Sequence, residues 1–217
     1  MSYPNSKGLE MAISESRKFD EIVKETYALV AQEVYGNTNT PDVAAFVYGS
    51  PGRIEMVGGD SDADVFIIER VASTKSRLLK RLFKDKLAMY DFSKIDMPDW
   101  GSLAEIKTYL EKSLVEGNQV LETRFIAGDK TIVPEVKNLK RKYNTTERAL
   151  KNIIFNRLYF NEYFKQKSHI GYLNIKYCHG GSRDLLFIYW YDRLDMNIKQ
   201  EKRVFRYRPA IEIGLSS

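Results

Sequence analysis

Apolar residues along residues 8–36 recur with the period of an α-helix. Their spacings are mostly three and four residues, which places them on one side of a helix. They are Ile13, Phe19, Ile22, Val23, Tyr27, Val30 and Val34. Turn-forming residues follow at Gly36-Asn37, and we expect this amphipathic helix to end there.

Two short apolar runs further along have the composition of buried strands. VAAFVYG (43–49) and ADVFIIE (63–69) are rich in β-branched and aromatic residues, and the turn-prone stretch SPGRIEMVGGDSD separates them. Apolar and basic residues then fall at helical spacing from Ser73 to Met89. A third, shorter strand is predicted within Phe92–Met97, just before Pro98.

The remainder of the chain has mainly helical periodicity. Breaks fall at Gly128-Asp129 and Gly180-Gly181. The predicted helices are at about 102–116, 118–127, 145–167 and 182–196. This order of elements predicts an α+β fold, with a small sheet and flanking helices over residues 1–130 and a helical half over residues 131–217.

Composition and charge narrow the class of protein. The chain has 217 residues, of which 43% are hydrophobic, enough for one large globular domain or two small ones. The net charge of +5 suits an anionic ligand such as a nucleotide without demanding nucleic acid. One cysteine, Cys178, excludes an internal disulfide, and two histidines, His169 and His179, argue against a zinc site or a Ser-His-Asp triad.

No segment resembles a signal peptide or a membrane span. The first stretch, MSYPNSKGLEMAISESRKFDEIVKE, has no apolar core. No later run approaches the roughly 20 apolar residues that cross a bilayer. We therefore expect a cytoplasmic protein with no membrane partner.

The residues that carry chemistry lie in VYGSPGRIEMVGGDSDADVFII (47–68). Residues two apart in a strand point to the same face, so Asp62 and Asp64 can direct both carboxylates to one point. Mg²⁺ binds through one or two carboxylates plus substrate phosphates. Gly49 allows backbone to approach a phosphate closely, Ser50 supplies a hydroxyl, and Arg53 adds a forked cationic donor.

A surface turn is the alternative interpretation of this segment, since a pair of aspartates two apart is common. The combination favours a metal site. Two acids at the mouth of a buried strand cost stability unless a cation offsets them.

GSPGRIE followed by SDADVFII resembles the signature of the nucleotidyltransferase fold shared with DNA polymerase beta. More narrowly, it resembles the catalytic domain of the bacterial uridylyltransferases that modify the PII signalling protein, and their uncharacterised relatives. LETRFIAGD (121–129) is similar to that family's helix ending in Ala-Gly-Asp. NIKYCHGGSRDLLFIYWY (174–191) is similar to its Asn-x-Lys and Gly-Gly-x-Arg-Asp stretch followed by an aromatic helix.

The resemblance implies a mixed sheet of the nucleotidyltransferase type and assigns roles to five residues. Gly49, Ser50 and Arg53 match the triphosphate-binding positions, and Asp62 and Asp64 match the metal ligands. The family's metal is Mg²⁺, with Mn²⁺ as the alternative. A helical domain over residues 131–217 would complete the nucleotide cleft.

The fold normally adds a third carboxylate from the next strand. Asp96, in KIDMPDW, is the candidate for this ligand and for the group nearest the acceptor, with Asp91 and Asp99 as alternatives. One departure from the family lies in the first motif, where MVGGD (56–60) makes the turn before Ser61 one residue longer. This difference would reshape the nucleotide entrance.

Further candidates for nucleotide binding lie in the C-terminal half. Lys176 and Arg183 could supply positive charge, and Gly180 and Gly181 could open a helix N-terminus toward the nucleotide. The alternative is that the glycines form a tight turn and Arg183 caps the helix. The basic run KNLKRKY (137–143) could contact RNA or could be a solvated surface.

The expected activity is transfer of UMP or AMP from an NTP to a hydroxyl of a protein or small-molecule acceptor, with release of pyrophosphate. Two alternatives remain open. The same site could transfer a nucleotide to RNA or to an antibiotic-like acceptor, or the chain could be a non-catalytic module that binds nucleotide.

Overall fold

The computed structural model describes residues 7–56, 61–113 and 115–143, together with residues 145, 147 and 151. The chain divides into two compact units, Met1–Lys140 and Arg141–Ser217. Nearly all described residues belong to the first unit. Apart from residues 145, 147 and 151, the helices predicted at 145–167 and 182–196 lie outside the described residues, and the helical C-terminal domain stays a prediction.

Six helices and four strands make up the described part of the chain. In chain order they are α1 (Lys7–Tyr35), β1 (Val43–Val47), α2 (Gly49–Arg53), β2 (Ala63–Glu69), α3 (Thr74–Leu87), β3 (Ile95–Asp96), α4 (Leu103–Lys112), α5 (Val115–Leu121), β4 (Arg124–Gly128) and α6 (Ile132–Tyr143). The predicted α+β class is confirmed, as are the first helix, the three strands and the helix after β2. No helix in this part of the chain has the length and apolar character to cross a membrane.

The four strands form one mixed sheet in the order β3-β2-β1-β4. β1 is antiparallel to both β2 and β4, and β2 is parallel to β3. The parallel pair is possible because α3 carries the chain back along the sheet between β2 and β3. A mixed sheet with flanking helices is what the sequence predicted.

One side of the sheet packs against α1 and α3. Alternate residues of β1 and β2 join the apolar stripe of α1 in a continuous core. Its fully or nearly fully buried members include Phe19, Val23, Tyr27, Val30, Val43, Ala45, Val47, Val65, Ile67, Leu79 and Phe83. The three-and-four spacing of α1 is thus explained by burial against the sheet.

Aromatic side chains from the intervening positions cover the other side of the sheet. Phe46 packs edge-on against Phe125, with ring centroids 5.7 Å apart. Phe66 packs edge-on against Trp100 at 4.8 Å, and Trp100 stacks on Tyr109 of α4 at 4.1 Å. β1 and β2 are therefore buried on both faces, which is why their sequences are continuously apolar.

The helix predicted at 118–127 is wrong in its second half. α5 ends at Leu121, and residues Arg124–Gly128 form β4 at the edge of the sheet. Phe125 pairs with Phe46 and Ala127 with Ala45, around a bulge in the β1 register. Pairing with an exposed edge of β1 satisfies the backbone groups of this segment, and this tertiary gain overrides its helical periodicity.

Candidate active site

The parallel pairing of β2 with β3 brings two predicted carboxylates side by side. Asp64 and Asp96 are partners in register, and residues in register on neighbouring strands face the same side of the sheet. Asp62 lies two residues before Asp64, at the entrance to β2. By contrast, Asp91 and Asp99 are exposed and lie outside β3. Of the three candidates for the third carboxylate, Asp96 is the one placed beside Asp64.

Asp64 has an unfavourable environment for a charged carboxylate. Burial raises its pKa to about 7, and the negative charges of Asp96 and then Asp62 act in the same direction. The positive charge of Arg53 opposes this shift only in part. The site therefore concentrates negative charge that its own side chains do not neutralise, a condition under which a cation binds favourably.

Two side chains that the sequence analysis did not identify hold the acidic segments in place. Ser93 Oγ donates a hydrogen bond of 2.8 Å to Asp62 Oδ1. The hydroxyl of Tyr48 donates to the backbone carbonyl of Asp96 at 3.1 Å and so ties the end of β1 to β3. Burial, together with the charges of Asp96 and Asp64, raises the pKa of Tyr48, so its hydroxyl keeps the proton that it donates.

The Gly-Ser pair lies directly against Asp64. The amide of Tyr48 donates to the carbonyl of Asp64 at 3.1 Å, and the chain then turns into α2. Gly49 has a φ of 59°, in the left-handed region that favours glycine. A Cβ atom at this position would overlap Oδ2 of Asp64. Glycine is thus required here for both conformation and close approach, and Ser50 follows it, half-buried.

Arg53 is engaged with acidic side chains. Its Nε donates to Glu55 at 2.8 Å, and its Nη1 donates to Glu122 Oε2 at 2.6 Å. The Arg53 side chain is 13% exposed and that of Glu122 is 8% exposed, so this second ion pair is largely buried. Glu122 is far from Arg53 in the sequence, and no local signal predicts their contact.

The Ala-Gly-Asp segment has a structural role at the other end of β1. Gly128 has a φ of 98°, and a Cβ there would lie 2.6 Å from the carbonyl oxygen of Val43. Asp129 accepts hydrogen bonds from the amides of Asp42 at 2.9 Å and Thr131 at 2.8 Å. Side-chain hydrogen bonding from Thr131 lowers the pKa of Asp129 and keeps it charged.

Within the described part of the chain, no three histidine, cysteine or acidic side chains form a ready-made metal cluster. The donor set at Asp62, Asp64 and Asp96 nevertheless consists only of carboxylate oxygens, which suit Mg²⁺ or Mn²⁺. Mg²⁺ usually completes its shell with water and substrate phosphates and so needs only one or two carboxylates. The predicted nucleotide-binding residues Lys176, Gly180, Gly181 and Arg183 lie outside the described residues.

In comparisons with known proteins, no family model and no curated protein matches this chain.

Proposed function

We propose that this chain is a metal-dependent nucleotidyltransferase. It would transfer a nucleoside monophosphate from an NTP to a hydroxyl of a protein or small-molecule acceptor and release pyrophosphate. The observation that carries this proposal is the pairing of Asp64 with Asp96 on adjacent parallel strands, next to the Gly49 turn. A triphosphate site needs acidic metal ligands beside a turn that phosphate can approach closely, and the position of Asp64 next to Gly49 supports one here.

The charge balance of the site supports a divalent cation. The pKa of Asp64 is about 7 because burial and two neighbouring carboxylates disfavour its ionised form. A cation held by Asp64 and Asp96 would reverse this effect and favour the ionised form of Asp64. When bound, Mg²⁺ would neutralise charge on the triphosphate and on the attacking oxygen.

The protein's own groups would position the reactants. Gly49 allows close approach of the turn to the triphosphate, and the hydroxyl of Ser50 can donate to a phosphate oxygen. Asp96 would accept the proton of the acceptor hydroxyl. The oxygen of that hydroxyl attacks the α-phosphorus, the bond from this phosphorus to the bridging oxygen breaks, and pyrophosphate leaves in line. Most of the rate enhancement would come from positioning and charge stabilisation.

Thermal-shift titration with each of the four NTPs, with and without Mg²⁺, tests the proposal directly. We expect a rise in melting temperature that requires nucleotide and metal together, because a ligand that binds only the folded state stabilises it. Asp64→Asn should abolish the metal-dependent part of the shift. Asp99→Asn makes the same chemical change at an exposed aspartate close to β3 and is the matched control.

The outcomes separate the alternatives. A shift that needs nucleotide but not metal would indicate a binding module without chemistry. No shift with any NTP in the presence of Mg²⁺ or Mn²⁺ would contradict the proposal. If the shift requires both nucleotide and metal, transfer of labelled nucleotide to protein rather than RNA would identify the class of acceptor.

A further inference from the structure

The segment Gly49–Ile54, made of α2 and the residue after it and here called the turn, has a left-handed residue at each end. Gly49 has a φ of 59°, which glycine tolerates. Ile54, at the C-terminal end of α2, has a φ of 63° and a ψ of 46°. A β-branched residue in the left-handed region is a genuine outlier, and such conformations persist only where surrounding structure holds them. The shape of this turn therefore depends on contacts from elsewhere in the fold.

Those contacts come from two charged residues, Glu122 in the turn before β4 and Arg124 at the start of β4, here called the β4 clamp. Glu122 forms the buried ion pair with Arg53, with 2.6 Å between Oε2 and Nη1. Arg124 Nη2 donates to the carbonyl oxygen of Pro51 at 2.9 Å. The backbone of the turn also packs tightly here, because a Cβ at Gly52 would lie 2.6 Å from the carbonyl oxygen of Glu122.

The β4 clamp is itself fixed to the first helix. Both terminal nitrogens of Arg124 donate to the carboxylate of Asp20 on α1, each at 2.8 Å. A bidentate arginine–carboxylate pair fixes the plane of the guanidinium group as well as its position. The turn is thus connected through Arg124 to α1 and through Glu122 to the segment between α5 and β4.

We propose that Glu122 and Arg124 are positioning residues that hold the turn in its binding shape. Arg53 then acts through Glu122 and is not a direct ligand of the triphosphate. Breaking a buried ion pair leaves one charge buried without a partner, so the pairing of Arg53 is strongly favoured over release to solvent. The part of this inference that concerns nucleotide rests on the proposed function, whereas the part that concerns the turn does not.

A charge-swap series tests the inference. The variants are Arg53→Glu, Glu122→Arg and the double variant that carries both changes and can re-form the pair in reverse. The first readout is hydrogen–deuterium exchange of the peptide spanning residues 48–56 without nucleotide. We expect exchange at least about tenfold faster in each single variant, because the turn opens locally, with β1 and β2 unchanged. In the double variant it should return to near the wild-type rate.

The second readout is the NTP concentration that gives half of the thermal shift in the presence of Mg²⁺. If Glu122 acts by positioning the turn, this concentration should rise about tenfold or more in the single variants and return to near the wild-type value in the double variant. If exchange recovers in the double variant but nucleotide affinity does not, Arg53 contacts phosphate itself, and that half of the proposal is wrong. If neither single variant changes exchange in the turn, the clamp is wrong altogether.

A milder variant covers the case in which the single charge changes prevent folding. Arg124→Lys keeps the charge near Asp20 but removes the fork that reaches Pro51. It should speed exchange of the turn, whereas Arg77→Lys, the same change at an exposed position of α3, should not. Equal exchange in these two variants would overturn the clamp. If wild type binds no NTP, the proposed function is wrong, and so is the part of this inference that concerns nucleotide. Hydrogen–deuterium exchange still tests whether the β4 clamp holds the turn.

Discussion

Asp64 is the residue whose surroundings distinguish it most clearly from an ordinary surface carboxylate. It is half-buried, it lies in register with Asp96, and the backbone of Gly49 lies against its carboxylate. Its pKa is about 7 in the folded chain, whereas an aspartate in an unfolded chain titrates near about 4. Between these values the folded state binds more protons than the unfolded state, so stability falls as pH rises.

This titration predicts a pH-dependent effect of Asp64→Asn, which mimics the protonated carboxyl. The free energy of unfolding of the variant relative to wild type should rise by about 2–3 kcal/mol between about pH 5 and about pH 8 without metal. Adding Mg²⁺ should remove most of the difference, because a cation favours the ionised form. Urea unfolding at the two pH values measures the effect.

The control for this measurement is Asp99→Asn, which replaces an exposed aspartate. Its free energy of unfolding relative to wild type, measured at the same two pH values, gives the baseline for this chemical change at an exposed position. If Asp64→Asn behaves in the same way as this control, Asp64 is not perturbed, and the electrostatic reason for a metal site is lost.

At the residue scale, the sequence indicated the three acidic residues but not the side-chain contacts around them. Asp62 and Asp64 follow from the two-residue period of strands, whereas Asp96 follows from the resemblance, which implies a third carboxylate on the next strand. Tyr48 was within reach of the same reasoning, since it follows Phe46 by two positions at the end of β1. The Arg53–Glu122 pair was not, because it joins segments 69 residues apart and depends on the position of β4.

Among the elements, α3 is joined to β2 by a buried ion pair outside the candidate site. Lys80 Nζ donates to Glu69 Oε1 at 2.6 Å, and Glu69 is only 2% exposed. The other carboxylate oxygen of Glu69 is buried with no hydrogen-bond partner among the described residues. Glu69 therefore depends on Lys80 to offset the cost of burying its charge.

Lys80→Met should consequently destabilise the protein by about 3–5 kcal/mol, since it leaves the Glu69 carboxylate buried without its cation. The double variant with Glu69→Leu should lose much less, because both charges are removed together. Lys84→Met, at an exposed position of the same helix, is the control. Urea unfolding gives all three values, and a double variant no more stable than Lys80→Met alone would refute the explanation.

The elements also show where periodicity misleads. The sequence correctly predicted that helices begin near Ser73 and Ser102. Each of these serines is the N-cap of its helix and forms a capping box in the structure. The strand β4 was predicted as helix because Arg124–Gly128 is short and has no two-residue alternation. This segment is a strand because it pairs with β1, and no local pattern predicts that long-range pairing. The five-residue helix α2 was likewise predicted only as a turn-prone stretch.

At the scale of the whole first unit, the two ends of the sheet differ in chemistry. One end carries the Gly49 turn, the three aspartates and the β4 clamp. At the other end, Arg70 joins Asp42, Thr131 and Glu135, with 2.9 Å to Thr131 Oγ1 and 2.8 Å to Glu135 Oε1. At this second end Arg70 forms ion pairs with Asp42 and Glu135. Asp64 is instead buried beside two further carboxylates, which raise its pKa. The ligand site is therefore expected at the end that carries Asp64.

Pyrophosphate release from each NTP in the presence of Mg²⁺ is the measurement that tests the proposed activity most directly. We expect wild type to release pyrophosphate from at least one NTP once an acceptor is supplied as cell extract. Asp64→Asn and Asp96→Asn should each lower the rate by about a hundredfold or more, the scale of losing a key transition-state contact, while Asp99→Asn keeps the wild-type rate. Normal turnover in either active-site variant, or no release by wild type with Mg²⁺ or Mn²⁺, would contradict the assignment.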